Sequence, residues 1–139
     1  MSRSATRIAR GAKEKAAPNT NLSLVRGRLV ALPTVRVIDR HRRATTFDLA
    51  TRVDGKRAVV PVVALDMDLP IIKVGDEVTA LGYVRRRFFR VGARTQSVTE
   101  MVVEQIVAGN KAARLEKLYA EITSRVREMR GASLGRDEG

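Results

Sequence analysis

Residues 77–90, EVTALGYVRRRFFR, hold the feature that most restricts what this chain can fold into. The segment reads as one long strand, and side chains on a strand alternate between faces. Val78, Ala80, Gly82 and Val84 therefore share one face, small and apolar enough for a core. Leu81, Tyr83, Arg85, Arg87 and Phe89 share the other. Rings interleaved with guanidiniums on one strand face suit single-stranded nucleic acid. The rings stack on bases, and the arginines meet phosphates or stack in their own right. The alternative is a basic edge strand guarded against aggregation by its charge. Rings set among the arginines work against that alternative.

The rest of the chain supports a polyanionic partner. Lys and Arg number 27 against 15 Asp and Glu, a formal charge of +12. Neutralised phosphates release condensed counterions, so nucleic acid is the first candidate. An anionic membrane surface is second, but no long apolar span is present. The N-terminal residues lack the apolar run of a secretion signal. With no cysteine there are no disulfides, thiol catalysis or Cys-based zinc sites. The expectation is a cytoplasmic protein. At 139 residues and 44% hydrophobic content, one packed domain plus tails is expected.

The pattern along the chain is strand-rich and then switches. Residues 1–20 carry five basic residues and one acid with no apolar period, and read as a disordered basic arm. Strands follow at residues 22–30, 44–52, 57–65, the long segment above, and 98–107. Gly27 inside the first strand marks a bulge or sharp bend. Asp54-Gly55 is a hairpin turn. Pro61 hints at a bulge or an unpaired edge, and Pro70 allows at most a brief helix over residues 66–74. Residues 111–130 contain no Gly or Pro. Leu115, Leu118, Ile122, Val126 and Met129 recur at helical spacing, with Asn110 as N-cap and Gly131 as terminator. Residues 132–139 read as a flexible tail.

Five short strands with a mid-strand glycine in the first and a long arginine-rich fourth suggest an all-β fold. The expected architecture is a five-stranded OB-fold barrel over residues 21–108 with a C-terminal amphipathic α-helix over residues 109–131. The segments LVRGRL (24–29), LPTVR (32–36), TFDLAT (46–51), VGDEV (74–78), GYVRRRFF (82–89) and TEMV (99–102) also occur in the order found in bacterial single-stranded DNA-binding proteins, and the chain resembles that family over residues 21–107. The resemblance implies an OB barrel, no catalysis, no cofactor, sequence-tolerant binding of single strands and a homo-oligomer, in a setting of DNA replication or repair. The chain departs from the family in having no tryptophan. Phe89 falls where the fourth-strand tryptophan would lie, Ala58 and Val63 fall near the third-strand platforms, and Phe47 matches a core position. The acidic tip is reduced to Asp137-Glu138-Gly139, and a helix replaces the usual disordered tail. These departures suit an accessory or mobile-element relative.

The expected binding residues are Arg28, the loop arginines Arg40, Arg42 and Arg43, and Tyr83, Arg85, Arg87, Phe89 and Arg90. The arginines would capture phosphates, and Tyr83 and Phe89 would stack bases. Leu115, Leu118, Ile122, Val126 and Met129 are the expected oligomerisation stripe, with packing on the chain's own barrel as the alternative. His41 is the only histidine and lacks co-ligands, so no metal site is expected. Asp66 and Asp68 read as turn residues rather than cation ligands. Glu100 reads as structural. No phosphate loop or catalytic Ser-His-acid set appears. Two rivals stay open: an OB module that binds RNA, and a structural adaptor that binds protein through barrel and helix.

Overall fold

A computed structural model of the chain describes residues 19–138, with side chains as far as residue 131. The basic arm read over residues 1–20 lies almost wholly outside the described residues. The elements are β1 (Ser23–Leu29), β2 (Thr34–Asp39), β3 (Arg42–Val53), β4 (Lys56–Leu65), β5 (Glu77–Val91), β6 (Arg94–Ala108) and α1 (Ala112–Glu138). Two compact units divide the chain. One runs Asn21–Leu118, and the other holds α1 from Tyr119 onward.

Five strands close into a ring. β1 pairs with β5, β5 with β6, β6 with β4, β4 with β3, and β3 returns to β1 through Arg28↔Ala50 and Leu29↔Leu49. All of these pairings are antiparallel except β4–β6, which is parallel. The side-chain period of two fills the interior from alternate positions: Leu29, Phe47, Leu49, Val62, Val78, Ala80, Met101 and Val103, capped by Ile72 from the loop after β4. Two glycines allow the strands to come this close. A Cβ on Gly27 would stand 2.5 Å from the Ala50 carbonyl oxygen, where β1 crosses β3. A Cβ on Gly82 would stand 1.8 Å from the Val102 carbonyl oxygen. Gly82 sits where the β5–β6 register jumps from Leu81↔Gln105 to Gly82↔Val103, which leaves Glu104 as an extra residue in β6. That extra residue shifts the core positions of β6 from Met101 and Val103 to Ile106 and Ala108.

Local signals behave as their chemistry requires. Asp54 and Gly55 both take positive φ, 51° and 77°, as a two-residue hairpin demands. Pro61 lies in the β3–β4 ladder opposite Asp48, and the β4–β6 ladder begins only at Val62. Its missing N–H therefore falls on an open edge. Residues 66–76 form a loop without a helix. β2 is the strand that the sequence pattern does not reveal. It pairs only with β3, and all its residues are exposed, so no burial rhythm marks it.

The helix starts at Ala112, so Asn110 is not its N-cap; the Asn110 side chain instead accepts a hydrogen bond from Arg26 at 2.8 Å. α1 runs past Gly131 and Gly135 to Glu138, because a glycine costs a helix only about 1 kcal/mol and does not by itself end it. Leu115 and Leu118 are buried within the barrel unit, and Leu118 lies beside residues 105–108 of β6. Gln105 and Val107 are the ladder partners of Leu81 and Thr79, which are fully buried. Leu81 is therefore a packed residue rather than part of an exposed face. In the second unit Ile122 and Met129 are half-buried and Val126 is exposed.

Candidate nucleic-acid interface

β5 is fifteen residues long, against about five or six for an ordinary strand, and it overshoots the ring. Its pairing with β1 stops at Gly82↔Ser23. Asn21 then serves as a side-chain substitute for one more strand residue. Its Nδ2 donates to the Val84 carbonyl at 2.7 Å, and the Val84 N–H donates to its Oδ1 at 3.0 Å. Beyond that cap β5 pairs only with β6, and the two strands form a ribbon that turns at Gly92 (φ 62°).

One face of the ribbon carries Tyr83, Arg85, Arg87 and Phe89 opposite Val102, Glu100, Val98 and Gln96. These four β5 residues do share a face, and all four are half-buried. Tyr83 packs on Ala44, Val63 and Val102, so its ring is partly spent on packing. The Arg87 guanidinium lies 5.3 Å from the Phe89 ring centroid. Glu100 organises this face. It is only 4% exposed, and it accepts from Arg85 Nε at 2.8 Å and from Arg87 Nε and Nη2 at 3.2 and 3.4 Å. Burial alone would raise its pKa; the guanidiniums of Arg87 and Arg85 outweigh burial and hold the carboxyl below its usual range. Glu100 thus fixes two arginines in place and cancels one of their two charges.

The other face carries Val84, Arg86, Phe88 and Arg90 opposite Met101, Thr99, Ser97 and Thr95. It continues the core parity of Val78 and Ala80, but the barrel has ended there, so Val84 is exposed rather than buried. Arg90 belongs to this face and is separated by the ribbon from Arg85 and Arg87. Phe88, which strand parity assigns to the core, is 64% exposed, with the Arg86 guanidinium 5.4 Å from its ring centroid.

Arg28 lies on the barrel's outer surface in a groove with Arg26, Arg52 and Arg57, where Glu77 is the only acid among the described residues. Arg28 Nη1 donates to the Gly75 carbonyl and Arg52 Nη1 to the Gly55 carbonyl, each at 3.0 Å. Carbonyl partners orient a guanidinium without cancelling its charge. Arg26 pairs with Glu77. Arg52 sits directly opposite Arg57 in the β3–β4 ladder, a like-charge pairing that costs stability. Sequence reading singled out Arg28 alone here. Gly27 in the strand crossing was the available pointer, because a close crossing brings the flanking residues of β1 and β3 together.

The basic run 40–43 behaves differently. Arg43 pairs with Asp68, its backbone N–H donates to Asp66 Oδ1 at 2.7 Å, and Arg42 Nε reaches Asp66 Oδ2 at 3.4 Å. Asp39 Oδ1 accepts the His41 backbone N–H at 2.9 Å. Arg40, Arg42 and Arg43 are thus set among Asp39, Asp66 and Asp68, and Asp66 and Asp68 serve as arginine partners. No cluster of His, Asp and Glu that could hold a metal occurs among the described residues. No helix among them is long and apolar enough to cross a membrane.

A solved Plasmodium falciparum SSB complex with ssDNA has a similar fold, with a TM-score of 0.57 and 16% identity. The match covers 66% of this chain and 96% of that one. The barrel is an OB fold. No family model and no curated protein sequence matches the chain, so the likeness is one of fold. In the OB frame, the ribbon is the extended β5–β6 hairpin, and the arginine groove lies on the barrel wall where β1 closes onto β3.

Proposed function

We propose that this chain binds single-stranded DNA with little sequence preference and without catalysis, as a homo-oligomer in the cytoplasm. Arg85 and Arg87 of the ribbon and Arg26, Arg28, Arg52 and Arg57 of the groove capture phosphates, and Tyr83 and Phe89 stack bases. The observation that carries this reading is the groove, where four arginines, two of them oriented by carbonyls, gather around one acid among the described residues. A fold that places like charges opposite one another at Arg52 and Arg57 suits a polyanion that neutralises both. The ssDNA in the similar Plasmodium falciparum SSB complex agrees with this reading. Arg42 and Arg43 of the loop contribute less, because a phosphate that meets them must displace the exposed carboxylates of Asp66 and Asp68.

The test is binding of matched oligo-dT, oligo-U and duplex DNA at two salt concentrations. The expected result is tightest binding to oligo-dT, with a log–log salt slope of roughly −0.7 per phosphate neutralised. Preference for oligo-U would transfer the reading to RNA. Absence of binding, or binding indifferent to salt, would overturn it in favour of an adaptor that binds protein.

A further inference from the structure

The ribbon has two faces, and the function proposed above uses only one. The second face carries Arg86, Phe88 and Arg90 across from Thr95, Ser97 and Thr99, none of them acidic. The first face places Glu100 between its arginines; the second has hydroxyls at the corresponding positions. Arg86 Nε donates to Ser97 Oγ at 3.1 Å, so its guanidinium is positioned by a neutral partner and keeps its full charge. Phe88 is far more exposed than Tyr83 or Phe89, which are half-buried. A ring left in water with an arginine stacked on it adds little to the fold, and it offers a flat surface for a base.

We infer that this second face is a separate single-strand site, so that one protomer holds two nucleic-acid segments back to back across the β5–β6 ribbon. The first segment would stack on Tyr83 and Phe89 and the second on Phe88, with Arg86 and Arg90 taking the second segment's phosphates. The backbone of two hydrogen-bonded strands lies between them, so the same bases cannot reach both faces. Two segments held on one ribbon carry a consequence for activity: complementary strands are brought together, and pairing is accelerated. The site rests on the single-strand reading proposed above and adds a second occupant to it.

The test uses the full chain with oligo-dT of about six nucleotides, too short to cover both faces. Stoichiometry is measured by native mass spectrometry at low salt, and annealing of two longer complementary strands is followed by fluorescence energy transfer. The variants are Phe88→Ala and Arg86→Ala. Each is expected to remove one bound oligomer per protomer and to slow annealing about tenfold or more, while one oligomer stays bound and the melting temperature holds. Phe89→Ala is expected to weaken the oligomer on the first face and to leave the one on the second face bound. If the wild-type chain binds no oligo-dT, the single-strand reading itself fails. If it binds but Phe88→Ala and Arg86→Ala change neither stoichiometry nor annealing, only the second site fails. If Phe88→Ala abolishes all binding, the ribbon has one site rather than two, and the inference is likewise overturned.

Discussion

Glu100→Gln should make the protein less stable and a tighter binder of single strands. The substitution keeps the side chain's size and removes its charge. Three charge-assisted hydrogen bonds converge on this carboxylate, from Arg85 Nε and from two nitrogens of Arg87. Such bonds contribute about 1.5–3 kcal/mol each where fully buried. The Arg85 and Arg87 side chains remain 33% and 29% exposed, so water takes over part of what they lose. The expected net cost is about 1–2 kcal/mol, or roughly 5–10 °C in melting temperature for a domain of this size. Affinity moves the other way, because two guanidiniums lose their internal competitor. One net positive charge is gained, enough for one more phosphate, so the salt slope steepens by about 0.7. The stability difference should also depend on pH. The folded carboxyl titrates below its ordinary value of 4.5. A depressed carboxylate contributes its stability above the unfolded pKa and loses it as pH falls through the folded one. The wild-type advantage should therefore be complete at neutral pH and shrink only below about 4.5. Denaturation of both proteins from pH 7 to 3, with oligo-dT titrations at several salt concentrations, measures all three effects. Equal stability at neutral pH, a gap that persists unchanged in acid, or weaker binding by Glu100→Gln would refute the reasoning.

Replacing Arg52 and Arg57 together by Ala should weaken binding to every sequence alike and flatten the salt slope by about 1.4, while stability holds or rises because a like-charge pair is gone. Fluorescence titration and melting report the two effects. Phe47→Ala should cost about 3–5 kcal/mol in urea denaturation, since Phe47 is 5% exposed in the core; Phe89→Ala should barely change stability but weaken oligo-dT binding by about 1–3 kcal/mol. On the helix, Val126→Asp should reduce assembly size in sedimentation with the barrel intact, whereas Leu118→Asp, at a position 2% exposed, should destabilise the barrel itself.

What could be read from the sequence was what local chemistry decides. Strand positions followed from alternation, the β3–β4 turn from Asp54-Gly55, and Phe47 as core from the family resemblance. The face shared by Tyr83, Arg85, Arg87 and Phe89 followed from parity. The rest depends on partners remote in the chain. Asp66 and Asp68 lie more than twenty residues from the arginines they pair with, so the run 40–43 read as a free cationic loop. Arg26, Arg52 and Arg57 join Arg28 only because β1 crosses β3 at Gly27. Phe88 carries no sequence signal of exposure, because parity tells inside from outside only while there is an inside, and β5 continues after the barrel has ended. The extra residue at Glu104 likewise changes the core parity of β6 with no local signal.

The Asn21 cap has a consequence for how such a protein can change over time. It marks the last point at which the barrel holds β5. Beyond it the backbones of the ribbon's two arms pair only with each other, so the ribbon's tip can change length without changing the core. Adding two residues to each arm would extend the ribbon by roughly 7 Å and leave every existing side chain on its present face. Adding one to each would also lengthen it, but it would exchange the faces of the residues beyond the insertion. Reach is thus a quantity that descent can adjust in small, even steps, lengthening or trimming the binding surface without reopening the fold that carries it.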